Sequence, residues 1–142
     1  MHRTKLNALV ALSLLVAVLL ACNFTTANLK SLKIAKDEAG KNEASTFKPG
    51  EKVYAVAEVA NNGGTVETKF RVLYDNVDGQ TSGELVPGAE KTLEIEGSRP
   101  AIFWVTLPPQ GFANGRYKVE VTMVSKGEEK GKKSATFEVT GY

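Results

Sequence analysis

From Lys52 to the end of the chain, apolar and polar residues take turns, in short runs separated by residues that interrupt a strand. Over 52–60, Val53, Ala55, Ala57 and Val59 share one side and Glu58 lies on the other. Over 66–74, Val66, Phe70, Val72 and Tyr74 share a side, with Glu67, Lys69 and Arg71 opposite and Leu73 as an outward-facing exception. A period of two sends successive side chains to opposite faces of an extended backbone, whereas a helix needs recurrence at three and four. Strands with one apolar face belong to antiparallel sheets buried on one side. No segment after residue 28 carries a helical stripe, so the chain is restricted to an all-β fold.

The interruptions divide the rest. Leu32-Lys33-Ile34-Ala35 alternates briefly, and 38–42 is turn material. Pro49-Gly50 ends a connection, and Asn61-Asn62-Gly63-Gly64 has the composition of a hairpin turn between two runs. Asp75–Gly83 reads as a polar loop, and the short run 84–86 stops at Pro87-Gly88. Leu93 and Ile95 share a face of 91–96; Tyr117, Val119, Val121 and Met123 share one of 116–124; and Ala135, Phe137 and Val139 mark a last strand. The mixed charges of 127–133 read as a solvated hairpin tip. Seven or eight short strands in about 110 residues predict an antiparallel β-sandwich.

The amino-terminal region follows other rules. Arg3 and Lys5 precede a run, 8–21, that is apolar except for Ser13, and the small residue Ala21 comes just before Cys22. A positive flank, a short apolar core and a small residue at the cut describe a secretion signal. The run is shorter than the roughly 20 apolar residues of a spanning helix. Leu19-Leu20-Ala21-Cys22 resembles the lipobox of bacterial lipoproteins, although Leu20 departs from the small or hydroxyl residue usual at its position. The resemblance implies cleavage before Cys22, lipidation of its sulfur, usually an acyl chain on the new amino terminus, and an extracytoplasmic place on the cell membrane or outer membrane. Two or more chains anchor stably where one does so only marginally. The expected organisation is a signal peptide at 1–21, the lipidated cysteine and a short tether at 22–30, and the sandwich at 31–142.

Removal of the signal also removes the sole histidine, His2, and leaves 16 of the 18 basic residues against 16 acidic ones. A neutral domain offers no basic face, so no nucleic-acid partner is expected. Without histidine or a free thiol, Ser-His-Asp and Cys-His catalysis are excluded, and so are the usual zinc and copper ligand sets except sites made of carboxylates alone. Asp75-Asn76-Val77-Asp78-Gly79 lacks the oxygen count and spacing of a calcium loop and reads as an Asx-type turn. No enzyme, cofactor or metal site is expected.

Gly115-Arg116-Tyr117-Lys118-Val119 resembles the penultimate strand of immunoglobulin-like and fibronectin type III-like domains. That resemblance implies that Tyr117 forms a tyrosine corner, its hydroxyl bonded to nearby backbone. Together with Phe47-Lys48-Pro49-Gly50 and Gly111-Phe112, the pattern is similar to small extracytoplasmic immunoglobulin-like domains of bacterial lipoproteins. It spans roughly 30–140 and lacks the disulfide and core tryptophan pairing of antibody domains.

One segment suggests a contact. In Ala101–Leu107, placing Phe103, Val105 and Leu107 inward leaves Ile102 and Trp104 outward, as a partner surface. Alternatively, a neighbouring strand or loop covers both, or the opposite register puts Trp104 in the core. The expected function is a lipid-anchored cell-envelope protein, a non-enzymatic binding or accessory module for an undetermined envelope component. The alternative is a protease inhibitor or chaperone-like protein of the same fold acting through its end loops.

Overall fold

The computed structural model describes residues 26–108 and 112–142. They form eight strands: β1 Asn28–Ala35, β2 Thr46–Phe47, β3 Lys52–Ala60, β4 Thr65–Val77, β5 Leu85–Glu96, β6 Pro100–Thr106, β7 Gly115–Ser125 and β8 Glu128–Val139. One sheet has the order β1-β3-β6, the other β2-β8-β7-β4-β5. Every pairing is antiparallel except β2 with β8. From β1 in the small sheet the chain touches the far edge of the large one at β2, returns for β3 and crosses again for β4. This is the strand order of an immunoglobulin-like sandwich with strands A, B and E in one sheet and G, F, C and C′ in the other. Among the described residues no strand occupies the D position outside β6.

The inward faces are those of the alternation. Val53, Ala55, Ala57 and Val59 of β3 meet Phe70 and Val72 of β4, Val119, Val121 and Met123 of β7, and Phe137 and Val139 of β8, all buried. Phe70 stacks on Phe103 of β6, with ring centres 5.5 Å apart, and so joins the sheets. Tyr117 stacks on Phe137 at 5.5 Å, and its hydroxyl donates to the Ala113 carbonyl at 2.8 Å. That bond is the tyrosine corner that the immunoglobulin-like resemblance implies. Burial pushes the phenol's pKa up.

Several boundaries differ from the sequence reading, each for a physical reason. Asn61–Gly64 does not close a hairpin; it carries the chain from one sheet to the other. Asn62 holds that crossing: its amide donates to the carbonyls of Ile95 (3.1 Å) and Gly97 (3.0 Å), and its side-chain oxygen accepts from Gly64 N–H. Pro87-Gly88 does not stop a strand. β5 runs through it because β5 is an edge, where a missing N–H is tolerated, and Gly88 at φ 76° sits in an irregular stretch of the ladder.

β4 continues to Val77, so the polar loop after it is shorter than 75–83. Leu73 does face away from the main core, yet it is buried beside its cross-strand neighbours Leu85 and Lys118. The turn between β7 and β8 is Lys126-Gly127 alone, both at positive φ, and Glu128–Lys133 belong to β8. β1 begins at Asn28, inside the stretch assigned to the tether, because Leu29 is buried and Thr26 Oγ1 already donates to the Asn61 carbonyl at 3.0 Å.

Candidate functional site

The two outer faces of the sandwich are chemically unlike. Cross-strand neighbours on the outer side of the small sheet pair Tyr54 with Trp104 and Val56 with Ile102. Trp104 is 49% exposed and Ile102 37%. Because Phe103 and Leu107 are buried, period two leaves 102 and 104 no other side to occupy. The Lys52 ammonium lies 4.6 Å from the centre of the Trp104 ring, within cation–π range.

Only half of this outer face is open. Val56, on the same side, is buried under the loop after β1, where Gly40 takes φ 66° and comes close to the Val56 side chain. Asp37 shapes that loop: its carboxylate accepts N–H bonds from Ala39 (3.0 Å), Lys41 (3.2 Å) and Asn42 (2.6 Å). Those bonds, the Asn42 one foremost, hold its carboxyl below the usual carboxylate range. A recess of about 350 Å³ beside the loop is lined by Lys33, Val56, Glu58, Arg99 and Pro100.

On the other flank, the free edges of β5 and β6 bound a cleft of about 450 Å³ between the sheets, lined by Gly88, Leu93, Ile102, Phe103 and Trp104. Tyr54 and the open edge of β6 were not visible in the sequence. Tyr54 is an ordinary alternating position there, and only the register of β3 against β6 sets it beside Trp104.

The remaining candidates fall elsewhere. Cys22 lies outside the described residues. Asp75 pairs with the Arg116 guanidinium across β4 and β7, and among the described residues no three His, Cys, Asp or Glu side chains come together as a metal-holding group. The outer face of the large sheet is laced with ion pairs: Glu120 with Lys132 at 3.2 Å and with Arg71 at 3.8 Å, and Lys69 with Glu90 at 3.7 Å.

No protein-family model matches the sequence, and no curated protein matches it. Solved structures do share its shape. An alkylpurine DNA glycosylase of Pseudomonas fluorescens, bound to DNA containing an abasic-site analogue, aligns over 81% of this chain at 14% identity with a TM-score of 0.51. This chain spans only 30% of that enzyme. The C-terminal domain of Wzt aligns over 84% of this chain and 76% of its own at 12% identity, TM-score 0.50. An immunoglobulin-like protein of Pseudomonas aeruginosa aligns over 80% of this chain and 96% of its own at 13% identity, TM-score 0.46. At these identities the likeness is one of fold alone.

Proposed function

We propose that the chain is a lipid-anchored protein of the cell envelope, held extracytoplasmically through Cys22, whose domain is a non-enzymatic binding module. The open half of the small sheet is its contact surface. The observation that carries this reading is Trp104, half exposed beside Ile102 and Tyr54 on a strand whose outer edge pairs with no other strand among the described residues. Large aromatics in such positions dominate many interfaces, and truncating one costs about 2 kcal/mol or more of binding. The partner is a component of the same envelope.

The anchor fits this geometry. Three residues lie between Cys22 and Thr26, so the two are at most about 14 Å apart when the segment is extended. The pole carrying Thr26 and the Asn61–Gly64 crossing therefore lies next to the membrane. The flank with β6 stands sideways to it, open to neighbours in the same leaflet.

The test is co-purification of the tagged protein from intact envelopes. Trp104→Ala should reduce what is captured while leaving the circular dichroism unchanged, and unaltered capture would refute the assigned surface. Mass spectrometry of the mature amino terminus should find a lipidated Cys22. An unmodified terminus elsewhere would refute the anchor.

A further inference from the structure

The four edges of the two sheets are treated differently. β2 is two residues long. β1 carries Lys30 and Lys33 and is bent by an irregularity between Leu29 and Ser31. β5 carries Pro87, the Gly88 kink, and Glu90, Lys91 and Glu94. Short length, lysine, proline and bulges are the usual devices that stop an edge from adding another strand. β6, Pro-Ala-Ile-Phe-Trp-Val-Thr, has no charge, runs in unbroken register along β3, and has its one proline at the first position.

The direction of its backbone groups follows from the ladder. Leu107 N–H donates to the Glu51 carbonyl at 2.9 Å, in the register that pairs Lys52 with Thr106. Residues of one parity in an antiparallel strand turn both N–H and C=O to the same neighbour. Positions 101, 103 and 105 therefore bond to β3. Positions 100, 102, 104 and 106 turn their groups outward, to an edge that pairs with no strand among the described residues. Pro100 has no N–H, and it falls on the outward set where none is missed.

From this we infer that β6 pairs antiparallel with β6 of a second copy, about a two-fold axis through Phe103. The inference rests on the proposed function only in taking the open side of the small sheet as a contact surface. With Phe103 on the axis, Ile102 faces the second copy's Trp104, and Trp104 faces its Ile102. Each such pair exchanges two N–H···O bonds, and Thr106 N–H reaches the opposite Pro100 carbonyl. Every outward N–H of the strand is thereby satisfied. The sheets join as β1-β3-β6-β6-β3-β1, and on the outer side Tyr54, Trp104, Ile102 and Val56 form a continuous row across the junction, in two symmetric copies. Aromatic and β-branched side chains are favourable cross-strand partners. A neutral strand meets its own image without opposing like charges, and a two-fold contact closes at two copies. Self-complementarity of hydrogen bonds, side chains and charge is the reason for assigning the edge to a second copy instead of to a foreign peptide.

Sedimentation equilibrium of the full chain in density-matched neutral detergent tests this. The native chain should sediment as two copies. Ile102→Pro, which removes an outward N–H and leaves the β3 ladder intact, should sediment as one at the same concentration with unchanged circular dichroism. Register is read separately: chains with Ile102→Cys, mixed with differently tagged chains with Trp104→Cys, should form a mixed disulfide dimer on mild oxidation well above the level given by the native chain. Should Ile102→Pro fail to fold, this linkage pattern decides. A native chain that stays single, or mixed chains that link no more than the native background, would overturn the inference. A single-copy chain that still loses capture with Trp104→Ala would overturn it while leaving the proposed function standing.

Discussion

On the outer side of the large sheet, Lys69 pairs with Glu90, and Glu120 with Arg71 and Lys132, so that charges answer one another across four strands. On the outer side of the small sheet, the corresponding positions hold Tyr54, Ile102 and Trp104, with Lys52 on the indole face. Both faces lie over the same core and obey the same alternation. What separates them is the residue class chosen for the outward positions and the presence of neighbours. The large sheet's central strands are flanked on both sides. Among the described residues β6 pairs with β3 on one side and with no strand on the other. A face of paired charges is content in water, whereas an aromatic row on an undefended edge is better satisfied by another surface. The proposed contact rests on this contrast and not on catalytic chemistry.

The largest effect should come from the core that the two faces share. Phe70 stacks on Phe103 across the sandwich, so Phe70→Ala should cost about 3–5 kcal/mol in denaturant unfolding and loosen both sheets together. Loss confined to the large sheet, seen by amide exchange, would break the view of one shared core. Outer-face changes should be far smaller. Trp104→Ala, measured dilute enough to keep copies apart, should cost about 0.5–1 kcal/mol, the worth of an exposed cation–π contact. Glu120→Ala should cost no more than about 1 kcal/mol and should shrink further with added salt, a dependence that Trp104→Ala should not share.

The smallest effect concerns the loop that covers Val56. The Asp37 carboxyl is depressed by N–H bonds from Asn42, Lys41 and Ala39. A depressed folded-state value adds stability that is complete above the ordinary carboxylate range and disappears as pH falls through the lowered value. Nuclear magnetic resonance should therefore find Asp37 titrating below an unperturbed aspartate, with faster amide exchange at Lys41 and Asn42 as it protonates. Titration at the ordinary value would mean that the loop is not held by this side chain.

Much of the fold was legible because one-sided strands advertise their buried positions. Val53 to Val59, Tyr117 to Met123, and the Tyr117 corner lie where period two and the immunoglobulin-like resemblance put them. Sheet membership was not legible. Asn61-Asn62-Gly63-Gly64 has hairpin composition, and only distant acceptors, the carbonyls of Ile95 and Gly97, turn it into a crossing. Pro87-Gly88 reads as a stop unless the strand is known to be an edge. Leu73 looks exposed unless its cross-strand partners are known. At the candidate surface, alternation could indicate Ile102 and Trp104. The partnership with Tyr54 and the free edge of β6 depend on pairings between segments about 50 residues apart, which local pattern does not encode.

The central claim is that the small sheet, and not the charged large sheet, meets other molecules. Photo-crosslinking in living cells tests it most directly, with a photoreactive amino acid placed at position 104 on one face or at position 69 on the other. The account predicts crosslinked species from position 104, whether to a second copy or to another envelope component, and none from position 69. Crosslinks from position 69 with none from position 104 would contradict it, and so would silence at both positions.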